Sequence, residues 1–181
     1  MAFVEEYITS VRQLTRERFV SKNPQVFLLC SNAREVKDQK WNFRTQTITS
    51  AKVSLAKLMA DGWTISRELL KYEIFPVVKA HRNPWRDHVS VGRARNNDIV
   101  IADESVSKLH AHFNIGGDGS MSIQDAGSRN GTLVNTTKLA TGVVLPLASG
   151  DRVAFGRIEM LLLDAGALYD FIANHIQPTS P

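Results

Sequence analysis

Val4, Tyr7, Ile8, Val11, Leu14 and Phe19 recur at close to a three-four spacing, so they share one face and predict a helix over 2–20. Glu5 and Glu6 near its start and Arg16 and Arg18 near its end suit the helix dipole. Asn23-Pro24 stops it. The run Gln25-Val26-Phe27-Leu28-Leu29-Cys30 then predicts a short buried strand, and residues 31–40 are polar and read as loop. Trp41, Phe43, Thr45, Thr47 and Thr49 alternate with polar positions, which predicts a further strand. Ser50 is placed to cap a helix over 51–60, with Gly62 as its stop, and residues 63–72 predict one more short helix.

From Glu73 onward the pattern shortens. Apolar-rich segments stand at 74–80, 88–92, 98–101, 110–115, 121–125, 132–135, 143–147, 151–155 and 157–163. Turn-forming stretches such as Gly116-Gly117-Asp118-Gly119, Ser128-Arg129-Asn130-Gly131 and Ser149-Gly150-Asp151 separate them. Many short strands at close spacing imply a β-sandwich or barrel. Leu168, Phe171, Ile172 and His175 then share a face and predict a closing helix over 165–176, with a loose tail around Pro178 and Pro181. The chain divides accordingly into an α/β extension over 1–72, an all-β domain over 73–164, and a C-terminal helix and tail over 165–181.

Composition excludes several classes. With 43% hydrophobic and 22% charged residues among 181, the chain falls in the ordinary globular range. No apolar run approaches the roughly 18 residues of a membrane span, and the N-terminus lacks both a signal peptide's basic start and its apolar core. Cys30 is the lone cysteine, so no disulfide forms within the chain. These features set the expectation of a cytoplasmic protein with no membrane partner. The net charge is +4. Residues 1–71 carry 12 Lys+Arg against 7 Asp+Glu, whereas residues 72–164 carry 10 of each. That excess is scattered among acids rather than gathered into a stripe, which reads as a solvated surface rather than a nucleic-acid face.

The chemistry-bearing residues narrow the choice further. His110 and His112 are two apart, but no cysteine pair or carboxylate cluster supplies the three or four ligands of a zinc site, so no metal or cofactor is expected. Neither a nucleophile elbow nor a phosphate loop ending in Gly-Lys-Ser/Thr is present, and nothing in the sequence argues for an enzyme. Asn130-Gly131 reads as a hairpin turn, and Asn130-Gly131-Thr132 also reads as a glycosylation triplet. Three loops are rich in anion-binding groups: Val91–Asp98 with Arg93 and Arg95, Asp103–His110 with Ser107 and Lys108, and Asp125–Asn135 with Ser128, Arg129 and Asn130. Arginine offers a planar fork that matches phosphate oxygens, and serine and asparagine add neutral hydrogen bonds.

Taken in order, Gly92-Arg93, Ser107-Lys108-Leu109-His110, Ser128-Arg129-Asn130-Gly131-Thr132, Gly150-Asp151 and Phe155-Gly156 resemble the signature of the forkhead-associated (FHA) domain family, over about residues 74–163. The resemblance implies a mainly β fold, an FHA-type β-sandwich of about eleven strands in two sheets. It also implies a non-catalytic, phosphothreonine-binding adaptor in Ser/Thr kinase signalling, in a bacterial setting. On that reading Arg93 holds the phosphate, Ser107 hydrogen-bonds it, Lys108 is a second cation, and Asn130 bonds the peptide backbone. His110 pins the loops, while Gly92 and Gly131 permit their geometry. Arg129 stands where the family often has a small polar residue, and it either contacts ligand or points to solvent. The expected partner is a phosphothreonine-containing protein, a Ser/Thr kinase or its substrate. The alternative is a phosphorylation-independent assembly module, with the N-terminal helix available for homo-oligomer formation.

Overall fold

The computed structural model describes residues 4–31, 63–80, 83 and 87–179. The loop read over 32–40, the strand read over 41–49, the helix over 51–60 with Gly62, and His81 lie outside the described residues.

The N-terminal helical pattern folds as two helices, α1 (Val4–Gln13) and α2 (Arg16–Lys22). Thr15 causes the break. It is extended (φ −68°, ψ 161°), and its hydroxyl accepts from the N–H of Arg18 at 3.4 Å, so it caps α2 instead of continuing α1. Asn23 is extended ahead of Pro24, as the crowding before a proline requires.

Among the described residues, thirteen strands follow these helices along the chain. The first three are β1 (Val26–Ser31), β2 (Trp63–Ile65) and β3 (Tyr72–Pro76). Next come β4 (Val89–Gly92), β5 (Ile99–Val100), β6 (Ala111–Ile115) and β7 (Met121–Asp125). Then come β8 (Thr132–Val134), β9 (Thr137–Lys138), β10 (Val144–Leu147), β11 (Arg152–Phe155) and β12 (Ile158–Asp164). A helix, α3 (Ala165–Ala173), and β13 (Ile176–Pro178) close the chain. One sheet has six strands in the order β3-β1-β12-β11-β8-β9, and the other has five in the order β10-β7-β6-β4-β5. The mainly β sandwich with a C-terminal helix is therefore the fold, as expected.

Two segments differ from the sequence reading. Residues 63–72, read as a helix, form β2 and a single 3₁₀ turn at Leu69–Lys71 before entering β3. The tail is not loose throughout, because Ile176–Pro178 pairs antiparallel with Trp63–Ile65. In both cases a long-range partner decides the conformation of a segment too short to hold one alone.

The division near residue 72 does not separate two bodies. β1 lies between β3 and β12, with Leu28 opposite both Phe75 and Leu162. Its alternating side chains serve two cores. Val26 and Leu28 join Val91, Phe113, Val153 and Phe155 between the sheets, while Phe27 and Leu29 face a second cluster built from the helices. β12 behaves alike, with Met160 and Leu162 turned inward and Leu163 turned to the helices. A strand buried on both faces reads as a continuous apolar run, which is why Val26–Cys30 shows no alternation.

Among the described residues, the layer beyond the six-stranded sheet holds α1, α2 and α3. Val4, Tyr7, Ile8 and Val11 of α1 are buried there with Phe19, Leu168 and Ile172. Tyr7 stands edge-on to Phe27 at 5.4 Å, and Phe19 edge-on to Tyr169 at 5.5 Å. Asp164 caps α3 by accepting from the N–H of Ala167 at 2.7 Å. The apolar face of α1, which the sequence offers for self-association, is thus consumed within the chain.

Candidate functional site

Arg93 leaves the end of β4, and two bonds fix it at once. Its backbone N–H donates to the carbonyl of Ser107 at 2.8 Å, and its Nε donates to the carbonyl of Val106 at 3.2 Å. The guanidinium is thereby oriented while most of its five donors remain for a ligand. The close approach of the two loops explains Gly92. A Cβ there would collide with the carbonyl oxygen of Lys108, which already accepts from Ala94 N–H at 3.1 Å and Asn97 Nδ2 at 2.7 Å.

The loop over 103–110 is held from both sides. Asp103 is buried and accepts from the N–H and Oγ of Ser105 at 2.8 and 2.6 Å. The Nε and NH2 of Arg157, in the turn between β11 and β12, clamp the same carboxylate. At the other end His110 is fully buried. Its Nδ1 accepts from the N–H of Ser107 at 3.0 Å, which places the hydrogen on Nε2 for donation to the carbonyl of Gly131 at 3.1 Å. Burial pushes this imidazole below its usual value, against smaller opposing effects from the Gly131 bond and from Asp125, so the ring is neutral. The pair read as a possible metal motif serves two separate purposes. His110 packs edge-on to Phe155 at 5.6 Å, and His112 packs against His88 at 4.0 Å.

The third loop turns on Asp125. Its Oδ1 accepts from the N–H groups of Gly127 and Ser128, both at 2.9 Å. Its Oδ2 accepts from the hydroxyls of Ser128 and Thr132 at 2.6 and 2.7 Å. Burial alone would raise this carboxyl, but the four bonds outweigh it and hold the group below the ordinary aspartate range. Ser128 Oγ then accepts from the N–H of Gly131, a residue at φ +83° that suits glycine. The loop thus presents Arg129 and Asn130 outward, both exposed.

Cross-links between the loops complete the arrangement. Arg129 N–H donates to Ser107 Oγ at 2.9 Å, leaving that hydroxyl's own hydrogen to donate elsewhere. Asn130 Nδ2 donates to the carbonyl of Ser105 at 2.7 Å. Arg93, Ser107, Lys108 and Arg129 line one open recess of about 330 Å³, with Glu104 the one acidic group among the lining residues. Four of the five ligand-contacting residues expected from sequence therefore converge. Asn130 borders the recess through Ser105 rather than lining it. Gly92, His110 and Gly131 occupy supporting positions. Sequence reasoning passed over the apolar lining from Val106 and Leu109, and it also passed over Glu104 and the clamp from Arg157. Arg157 directly follows the Phe155-Gly156 pair, but nothing in the sequence announces that it reaches back to Asp103.

Residues 89–156 match the family model described as FHA domain. The chain contains an FHA domain. Over 74 residues it is 39% identical to the glycogen accumulation regulator GarA of Mycolicibacterium smegmatis, covering 41% of this chain and 44% of that one. Over 79 residues it is 37% identical to the oxoglutarate dehydrogenase inhibitor of Corynebacterium diphtheriae, covering 44% and 52%. The chain spans about half the length of the curated relatives it matches. Among solved structures it is similar to the FHA domain of the CT664 protein from Chlamydia trachomatis, with 29% identity and a TM-score of 0.45 over 56% of this chain and 94% of that one. The FHA match begins at β4, so β1 and β3 lie outside it although they share the six-stranded sheet with β8, β9 and β11 of the matched span.

Proposed function

We propose that this FHA domain is a non-catalytic, phosphothreonine-binding adaptor in Ser/Thr kinase signalling in the bacterial cytoplasm. The observation that carries this reading is the convergence of Arg93, Ser107, Lys108 and Arg129 on one recess, on side chains whose loops are cross-bonded before any ligand arrives. A phosphothreonine brings a charge of about −1.5 to −2 and three acceptor oxygens. Three cations and Glu104 give the recess a net +2, which matches that charge. The guanidiniums supply forked donors, and Ser107 supplies a neutral one. Because the loops are already fixed, little ordering entropy opposes binding. Two matched relatives are named as a regulator and an inhibitor, which fits an adaptor that acts by binding. The partner is then a phosphothreonine-bearing kinase or kinase substrate.

Fluorescence anisotropy with a degenerate phosphothreonine peptide library tests this directly, beside phosphoserine and unphosphorylated versions and Arg93→Ala protein. Binding restricted to phosphothreonine and abolished by the substitution supports the reading. Equal binding of all forms by both proteins refutes it and favours a phosphorylation-independent assembly role.

A further inference from the structure

Lys138 does not line the recess, but it lies against Gly131, two residues after the recess-lining Arg129. It is exposed on the two-residue strand β9, and it forms no salt bridge among the described residues. Its side chain is laid across Gly131, where the Cε fills the space a Cβ would take. The ammonium Nζ stands 3.1 Å from that Cβ position. Gly131 does two things here: it adopts φ +83°, and by lacking a side chain it lets the lysine stem lie flat on the backbone. The stem is thus confined on one side, and the charge is held next to Asn130 rather than swinging free in solvent.

The charge balance of this end of the sandwich makes Lys138 surplus. Arg93, Lys108 and Arg129, offset by Glu104, already match one phosphate. Asp103 is engaged by Arg157, and Asp125 by Ser128 and Thr132, so neither carboxylate compensates Lys138. We propose that Lys138 is a specificity-determining residue that selects an aspartate or glutamate flanking the phosphothreonine in the bound peptide. This inference rests on the phosphothreonine reading. A peptide whose phosphate sits in the recess and whose backbone meets Asn130 would bring a flanking side chain toward Lys138, because the lysine stem covers Gly131, the residue next to Asn130. A carboxylate fits better than an amide because the lysine ammonium only donates and carries a full positive charge.

A phosphothreonine library randomised at the flanking positions, read by enrichment on the full chain, tests the inference. Wild type is expected to enrich Asp and Glu at one flanking position, and fixed peptides with Glu or Gln there are expected to differ roughly two- to fivefold in affinity. Lys138→Met should abolish that difference, Lys138→Arg should keep it, and Lys138→Glu should turn the preference to Lys or Arg at the same position. A thermal melt of each variant confirms that the fold is intact. Phosphothreonine binding with no acidic preference, or a preference that survives Lys138→Met, overturns the inference and leaves the phosphothreonine reading standing. If no phosphopeptide binds, the reading beneath it falls as well, and the inference falls with it. Preference for a second phosphate over Asp or Glu at the same position would also overturn it.

Discussion

The Nε2–H of His110 reaches across from one loop to donate to the carbonyl of Gly131 in another, at 3.1 Å, inside the fold. Its other ring nitrogen simultaneously receives the N–H of Ser107. One neutral imidazole therefore sets the spacing between the Ser107 loop and the Arg129-Asn130 loop. A protonated ring would have no lone pair left for Ser107.

This relationship gives stability a pH dependence of definite sign. The folded pKa of His110 lies below the unfolded value of about 6.5. Between the two values the unfolded chain binds more protons, so stability rises with pH there. The contribution of His110 is complete above about pH 6.5 and is lost as pH falls through its folded value. Urea denaturation at pH 7.5 and pH 5.5 should show the wild type losing more stability than His110→Ala over that interval. The variant itself should be weaker at pH 7.5 by roughly 1–3 kcal/mol, because the Ser107 N–H and Gly131 carbonyl lose their partner.

Arg93→Ala should leave the melting temperature nearly unchanged, since the side chain is exposed. It should weaken phosphothreonine-peptide binding by roughly 10- to 100-fold, the scale of a lost charge-assisted hydrogen bond or pair. Arg93→Lys should recover only part of this, because a point charge does not reproduce the planar fork whose Nε holds the Val106 carbonyl while the other nitrogens stay free. Titration by anisotropy at two salt concentrations separates these outcomes from a general charge effect.

The strands of the sandwich and the four residues of the recess were legible because both are written locally. Short apolar-rich segments between turn residues marked β4 to β8, and each of the four recess-lining residues stood in a loop with its own turn chemistry. The boundary at residue 72 was drawn where the texture changes, yet β1 belongs to the sheet beyond it. Nothing local in Val26–Cys30 tells which strand it will pair with. The same reason hid β2 and β13, each three residues long and stable only through the other. Lys138 and Arg157 were hidden for a different reason. A surface lysine or arginine acquires meaning only from what lies under its stem or beside its head, here Gly131 and Asp103.

Asp103 gives a test of how the recess is pre-formed. Its side chain is fully buried and holds Ser105 and Arg157 together. Asp103→Asn keeps the shape but loses the charge that Arg157 pairs with, and it turns an acceptor into a donor facing a guanidinium. It should destabilise the chain by roughly 1–3 kcal/mol. It should also weaken phosphopeptide binding although it does not line the recess, because Ser105 and Val106 shift with it. Thermal melting and anisotropy on one preparation check both effects. Unchanged affinity would mean that the bonds from His110, Arg93 and Asn130 hold the 103–107 loop in shape without the Asp103 charge.

The placement of β1 predicts the outcome of trimming the chain to the part that resembles its relatives. A chain starting at residue 73 keeps every residue of the recess but loses β1, α1 and α2. The strand partners of β3 and half those of β12 then vanish, since both pair with Val26–Ser31. The sheet face bearing Ile74 and Leu163 loses Phe19 and the α1 side chains that cover it, and Leu168 and Ile172 of α3 lose their packing partners. Unpaired strand edges and an uncovered apolar face promote association. The trimmed chain should therefore aggregate or melt without a cooperative transition, whereas the full chain melts in one. Size-exclusion chromatography with a urea melt followed by tryptophan fluorescence distinguishes the two cases. A trimmed chain that is monomeric, cooperative and competent for phosphopeptide would show that the helices and β1 are dispensable to the sandwich, contrary to the two cores they share.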